Sequence, residues 1–563
     1  MGEKESRNII LEEYQNEFLY KKSQSNLNIR FNRVAFIFFI IFTIALIYSI
    51  QLLHLGSSQP IDKVKKLTIN KKNYRADIID NNGNYLVKTV SSIDIGINPK
   101  EVIDKKKLLI NLQLIFPKKN FSIIKKKLDG NNFFYLEKKI TAEKYEQIML
   151  LGDKSIKPEE KLTRIYPQEN LFSHIIGQID DDNNGISGIE KSFDTKLKKI
   201  KKPLQLTVDT DIQFLIREEL IRFQTIFKNI GSAAVLMDVN NGNIISMVSL
   251  PDFNLNKRET IKDVNYINRV TKGTYELGSV FKTFTVAAAL DAELIEPETE
   301  FFNLEKKLKC GKSTIAEYDN KIPSDLTVEQ ILIRSGNIGS VRIGQMLEIE
   351  KLKTFLGKIG ILDKLDFDIE EVGEPIPFRW GKCKLATVSF GHGITTSPLQ
   401  LAKGYSIITN GGFSIKPTLI KQTLVKSQKN KRIIKEGVSK KINIILRKIV
   451  TTKEGTAGLA NIDGYEIGGK TGTAQKTTVG GYEKFKKVNT FVAVFPISKP
   501  KYTLVVLMDE PKTSLDYVYN YRNKKGSFKG TPFNTAGWTS VEVAGQIIEK
   551  IGPILATKYL EVN

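Results

Sequence analysis

At 563 residues the chain is too long for one compact core, so two or three folded units plus any membrane segment are expected. Lys and Arg total 85 against 62 Asp and Glu, yet the basic clusters at 105–107, 125–127 and 198–202 are lysine-rich, scattered and free of aromatic interleaving. This pattern argues for solvated lysine faces and against nucleic-acid binding. The two cysteines, Cys310 and Cys383, have no histidines at ligand spacing, which argues against a structural zinc site and leaves their pairing open.

In chain order, the first element is VAFIFFIIFTIALIYSIQLL, Val34 to Leu53, the length of uncharged chain that spans a bilayer core as a helix. Lys21, Lys22, Arg30 and Arg33 precede it, and no lysine or arginine follows until Lys63. The positive-inside rule therefore predicts a cytoplasmic N-terminus and an extracytoplasmic C-terminal part. The long, mixed-charge leader and the lack of an A-x-A site favour an uncleaved anchor over a signal peptide.

From about 60 to 200, short β-like runs alternate with lysine-rich helices, and RADIIDNNGNYLVKTV (75–90) reads as strand, Asn-Gly turn, strand. This part shows no catalytic constellation and reads as a spacer. At 201–220 Pro203 and an extended run give way to an amphipathic helix, which marks a boundary. Beyond it, GSAAVLMDV, the turn NNGN with Asn241-Gly242, and IISMVSL form a hairpin. Near the far end TFVAVFPI (490–497) and KYTLVVLMD (501–509) form a strand pair, followed by a helix over 540–551. Helical patterns at 282–294 and 326–347 lie between these blocks. Strands from both ends around a helical middle predict one antiparallel sheet closed by both termini of the domain.

Three short stretches carry candidate chemistry. In GTYELGSVFKTF (273–284), Ser279 and Lys282 stand three apart at the start of a helix, so they share a face and the amine can approach the hydroxyl. Serine needs a base to become a nucleophile, and lysine serves only when its pKa is lowered. In IRSGNIGS, Ser335 and Asn337 pair a hydroxyl with a carboxamide, suited to proton relay and to holding a peptide backbone, although a polar turn would look the same. In GGKTGTAQK (468–476), glycines admit a substrate backbone to a strand edge, while Lys470, Thr471 and Thr473 offer a cation and two hydroxyls to a carboxylate. A phosphate loop is the rival, but β structure rather than a helix follows Thr473.

The three in this order resemble the Ser-x-x-Lys, Ser-x-Asn and Lys-Thr-Gly motifs of the penicilloyl serine transferases. RADIIDNNG (75–83), RIYPQENLFSHIIGQ (164–178) and GISGIEKSFD (185–194) extend the resemblance to class B penicillin-binding proteins, with Ala76 and Asn81 departing from the first signature. TVSFGHGITTSPLQLAKGYSIITNGG (387–412) is similar to the segment those proteins carry between the second and third motifs; there His392 is read as shaping the cleft rather than as a base. YELGSVFK, with Leu277 where the elongation type places proline, and KTGTAQK resemble the septal, FtsI-type members.

The resemblance implies an α+β protein with one N-terminal transmembrane helix, an elongated β-rich module, and a serine β-lactamase-like transpeptidase domain whose antiparallel sheet carries helices on both faces beside an all-helical subdomain. It divides the chain into a cytoplasmic tail (1–33), an anchor (34–55), a non-catalytic pedestal of dimerisation type (56–203) and the transpeptidase domain (204–563). Ser279 is the implied acyl acceptor, Lys282 its base, Ser335 a proton shuttle and Asn337 the holder of the donor amide. Lys470 supplies positive potential, Thr471, Gly472 and Thr473 bind the donor, and the backbone N–H groups of Ser279 and Thr473 form an oxyanion hole. Implied partners are peptidoglycan stem peptides, β-lactams as inhibitors, a SEDS-type glycosyltransferase and other divisome proteins in the cytoplasmic membrane, with no metal or cofactor. An elongation-type enzyme is the near alternative. A membrane-anchored β-lactamase or sensor would not need the 60–200 module, and a non-catalytic divisome scaffold would tolerate loss of Ser279 or Lys282, both of which are present.

Overall fold

The computed structural model describes residues 25–57, 74–257, 263–311, 313–422, 431–478, 481–521 and 526–558. Lys21, Lys22 and Lys63, used above for orientation, lie outside them. The chain divides into two compact units between Tyr74 and Arg75.

The first unit is built on helix α1, Ser25–Ser57, whose segment Arg33–His54 has a mean hydropathy of 2.5 and buries none of its residues. Its 22 residues rise about 33 Å at 1.5 Å each, enough to cross a bilayer once. Apolar side chains on every face, Phe38 and Phe42 among them, find no protein partner there.

The second unit opens with the pedestal. Strands β1 (Ile78–Ile79) and β2 (Tyr85–Ile97) are joined by the turn expected at Asn82-Gly83, with Gly83 at φ +92°. Helices α2 (Lys105–Ile115) and α3 (Phe121–Asp129), strand β3 (Phe134–Ile140), helix α4 (Ala142–Met149) and strand β4 (Ile156–Ile165) follow. β2 is the spine, antiparallel to β3 and to the whole of β4. The three helices close over its far end around Ile95, Ile97, Leu108, Leu112, Phe116 and Leu136, a small core of its own. β5 (Leu204–Gln205), just after Pro203, returns to pair parallel with β1.

The three pedestal signatures recognised in the sequence converge on one buried ion cluster. Arg75 Nε meets Glu190 Oε2 at 2.5 Å, Arg164 Nε meets Glu190 Oε1 at 2.8 Å, and Arg75 Nη1 reaches Asp194 at 2.6 Å. Arg164 also donates to the Arg75 carbonyl and to Thr89 Oγ1. The spacer thus has a polar centre that its sequence did not reveal.

The rest of the unit is an α/β layer. Helix α5 (Thr210–Phe227) leads into β6 (Gly231–Asp238) and β7 (Ile244–Leu250). Then come the largely helical part, with α6 (Lys282–Asp291), the hairpin β8 (Lys307–Cys310) and β9 (Ser313–Ala316), α7 (Val328–Ile333), α8 (Asn337–Lys358), α9 (Lys382–Val388), α10 (Pro398–Thr409) and α11 (Glu436–Thr451). β10 (Gly468–Thr478), β11 (Gly481–Phe495), β12 (Tyr502–Asp509) and α12 (Ser540–Lys558) close the domain. The central sheet runs β10-β11-β12-β6-β7, antiparallel throughout, so strands from both ends of the domain meet at the β12–β6 pair as expected. β6, β7 and β12 are buried at every position, because α5 and α12 pack on the sheet together while α10 and α11 pack as a second pair. Such two-sided burial explains why these strands read as continuous apolar runs rather than alternating ones.

Cys310, at the turn of the β8–β9 hairpin, forms a disulfide with Cys383 at the start of α9, with the Cα atoms 5.5 Å apart.

Candidate active site

Ser279 sits in a single 3₁₀ turn, Gly278–Phe281, that runs straight into α6. Gly278 adopts φ +62°, and a side chain there would press within 2.7 Å of the Thr473 carbonyl oxygen. On its other side Gly391 packs against the Gly278 carbonyl so closely that a Cβ would lie 1.9 Å from it. Only glycine fits this pinch, which holds the nucleophile's turn against β10. The buried Tyr405 hydroxyl donates to the Val280 carbonyl at 2.7 Å and fixes the turn from below. Ser279 itself is half-buried.

Lys282 opens α6, a helix buried along nearly its whole length, and is itself fully buried. Its ammonium donates to the Ser335 carbonyl, to Ser335 Oγ at 3.2 Å and to Asn337 Oδ1 at 2.7 Å. The i,i+3 spacing suggested an approach to Ser279; the amine's hydrogen bonds instead run to the second motif. Burial lowers its pKa to about 7, with the Glu317 carboxylate opposing that shift.

Ser335 and Asn337 occupy the joint between α7 and α8. Ser335 has φ +58°, a left-handed conformation that costs a non-glycine residue about 1–3 kcal/mol and therefore needs support from its surroundings. Glu317, just past β9, supplies part of it by accepting from the backbone N–H of Asn337 at 2.7 Å and of Ile338 at 2.8 Å, capping α8. The Asn337 amide donates to the Ala316 carbonyl, which orients its oxygen toward Lys282.

The third motif lies on β10, at the edge of the central sheet. Lys470 is fully buried and donates to Ser335 Oγ at 2.8 Å. Its pKa falls well below the ordinary lysine value, first through burial and then through the neighbouring Lys282. Gly472 faces Leu277, whose carbonyl oxygen would lie 2.1 Å from a Cβ. Thr471 Oγ1 is 2.7 Å from Thr456 Oγ1, and Thr473 Oγ1 accepts from the Ala536 N–H at 2.9 Å.

The structure thus joins Lys282, Ser335, Asn337 and Lys470 in one hydrogen-bonded group, with Ser279 one turn before Lys282 and Gly472 and Thr473 packed against the segment that carries it. Sequence reasoning missed Glu317, Thr456 and Tyr405. Each acts across a long loop, and no local pattern marks it. Among the described residues no group of three or more His, Cys, Asp or Glu is gathered as a metal site. The Ser335 hydroxyl between two buried amines, with the Ser279 hydroxyl one turn away, suits a proton relay in nucleophilic acyl transfer.

Known proteins resemble this chain in sequence and fold. Residues 232–529 match the penicillin binding protein transpeptidase domain, and residues 70–219 match the penicillin-binding protein dimerisation domain. The chain is 29% identical over 496 residues to the probable peptidoglycan D,D-transpeptidase FtsI of Caulobacter vibrioides, covering 86% of this chain and 82% of that protein. It is 30% identical over 491 residues to peptidoglycan D,D-transpeptidase FtsI of Buchnera aphidicola subsp. Baizongia pistaciae, covering 79% and 84%. Its fold matches penicillin binding protein 3 of Mycobacterium tuberculosis, solved with aztreonam, with a TM-score of 0.64, 20% identity and coverage of 85% and 97%. The first of these family models alone spans more than half of the chain, and the pedestal that a β-lactamase would lack is matched as well. The chain belongs to the penicillin-binding proteins, as a class B member of the FtsI type.

Proposed function

We propose that this protein cross-links septal peptidoglycan as a D,D-transpeptidase, with Ser279 as the nucleophile. The observation that carries the reading is the Ser335 hydroxyl shared by two buried lysines, 3.2 Å from Lys282 and 2.8 Å from Lys470. Two ammonium groups around one hydroxyl in a desolvated site disfavour double protonation, which leaves a free amine to act as base.

In the first half-reaction neutral Lys282 takes the Ser279 proton, and Oγ bonds to the carbonyl carbon between the two terminal D-alanines of a stem peptide. The backbone N–H groups of Ser279 and Thr473 hold the oxyanion. The C–N bond breaks, and the leaving D-alanine receives a proton through Ser335. Asn337 holds the donor amide, Thr471 and Thr473 bind the terminal carboxylate beside the Lys470 charge, and Gly472 lets this donor-binding strand pack against the Leu277 carbonyl of the nucleophile's segment. In the second half-reaction an amine of another stem peptide displaces Oγ from the acyl carbon, and the proton it loses returns to Ser279. A β-lactam traps the same ester because its opened ring stays attached.

In this reading residues 34–55 anchor the chain, the N-terminus is cytoplasmic, 56–203 form the pedestal and 204–563 the catalytic domain outside the membrane. A SEDS-type glycosyltransferase and other divisome proteins are the partners such an enzyme requires. Fluorescent penicillin should label wild type covalently and leave Ser279→Ala unlabelled; equal labelling of both would overturn the assignment. Release of the label within minutes rather than hours would point to a β-lactamase. A fluorescent fusion should gather at midcell, and uniform lateral-wall signal would favour the elongation type.

A further inference from the structure

A second titratable group stands at the rim of the cleft, apart from the lysine network. His392 Nδ1 lies 3.5 Å from Glu276 Oε2, and its ring stacks on Tyr482 with centroids 4.3 Å apart. The Tyr482 hydroxyl in turn donates to Glu276 Oε1 at 3.1 Å. These three side chains come from the three segments that frame the nucleophile. Glu276 is three residues before Ser279; His392 follows Gly391, which abuts the Gly278 carbonyl; Tyr482 is on β11, paired with Thr477 of the strand that carries Thr471 to Thr473. The His392 side chain remains 35% exposed, so a solute can reach it, whereas the Glu276 side chain is only 13% exposed.

We propose that His392, oriented by Glu276 and backed by Tyr482, is the base that prepares the acceptor: it takes one proton from an incoming primary ammonium before that amine attacks the Ser279 ester. This rests on the acyl-transfer reading above. The step balances as follows. R–NH3+ gives a proton to imidazole Nε2, leaving R–NH2 and an imidazolium paired with Glu276. The amine then forms the C–N bond as C–Oγ breaks, its second proton goes to Oγ, and His392 returns its proton to solvent.

The physical case has three parts. An ammonium cannot attack a carbonyl, so a base must act on the acceptor side, yet Lys282 and Lys470 are engaged with Ser335, and the one proton they share makes that pair positive and unattractive to a cation. A carboxylate beside an aromatic face, as in Glu276 and Tyr482, attracts an ammonium. His392 also rests in the basic form at neutral pH. Burial holds its pKa below the ordinary value, with Glu276 opposing and Lys384 of α9 reinforcing the shift. Lys384 is turned aside by its own hydrogen bond to the Gly393 carbonyl at 2.6 Å. Among the described residues, Glu276, Tyr482 and Lys384 are the titratable groups that face the ring.

The test uses the full chain in detergent, an acyl-D-alanyl thioester as donor, and D-alanine or a lysine-bearing stem peptide as acceptor. Transfer to amine is read against hydrolysis by water from pH 6 to 11. In His392→Gln the transfer-to-hydrolysis ratio at pH 7 should fall about a hundredfold, the low end of general-base effects. The deficit should close as pH passes the acceptor's own pKa, where solution supplies free amine. Fluorescent-penicillin acylation of Ser279 should change less than the ratio does, and Glu276→Gln should show the same pattern at about a tenth of the size. An unchanged ratio, or a parallel fall of acylation and transfer at every pH in both variants, would overturn the proposal and leave His392 a packing residue. Failure of penicillin to acylate the wild type would instead sink the underlying acyl-transfer assignment.

Discussion

In the proposed mechanism Lys282 concentrates the acid–base chemistry in one atom. Its amine is the base only when neutral, and with a pKa of about 7 the neutral fraction falls about tenfold per pH unit below that point. Penicillin acylation should therefore rise with slope about one between pH 5 and 6.5 and level off above about 7.5, measured by stopped-flow fluorescence. Glu317 raises that pKa while burial lowers it, so Glu317→Gln should move the rising limb to lower pH. The same substitution leaves one acceptor oxygen where two now cap the Asn337 and Ile338 N–H groups, at a stability cost of about 1 kcal/mol. A limb that moves upward would show that Glu317 acts on Lys282 through structure rather than charge.

The element on which this geometry depends is the β8–β9 hairpin. It bears Ala316, which orients Asn337, and leads into Glu317, which caps α8; the Cys310–Cys383 disulfide ties it to α9 across 73 residues. A disulfide typically contributes about 2–4 kcal/mol. Cys383→Ser, or reduction of the wild type, should lower thermal stability by that amount and slow acylation, as read by a melt and a labelling time course on the same samples. The central helix α6 makes a contrasting case. Its KTFTVAAALD sequence puts small residues at close contacts and Phe284 at the core. Phe284→Ala should cost about 3–5 kcal/mol through the cavity it leaves. Secondary elements of this kind were largely legible: the hairpin around Asn241-Gly242, the strand pair at β11 and β12 and the helices α6 to α8 all follow their sequence patterns. The β8–β9 hairpin was not read, because its burial is slight and its four-residue strands carry little periodicity.

Across the whole molecule, the pedestal signatures are explained by the Arg75–Glu190–Arg164 cluster, where one carboxylate serves two guanidinium groups with side chains almost wholly out of solvent. Removing Glu190 leaves buried charge uncompensated, so Glu190→Ala should cost about 3–5 kcal/mol. Denaturant unfolding would measure that loss, and limited proteolysis would find the new cut sites between 75 and 200. The apolar helix predicts that the full chain stays in the membrane fraction after a high-salt wash, since 22 residues of mean hydropathy 2.5 bind by the hydrophobic effect rather than by the lysines.

The sequence by itself determined whatever is written in short-range order: a bilayer-length apolar run, the turn-punctuated hairpins, and three motifs whose order names a chemistry. Tertiary structure alone decided which groups meet. Lys470 reaches Ser335 across 135 residues, Arg75 reaches Glu190 across 115, and Tyr482 reaches Glu276 across 206. Periodicity encodes which face of an element is buried, not which distant face it will be buried against. For that reason the two amines around one hydroxyl, the disulfide that braces them and the histidine at the rim emerge only when the chain is closed.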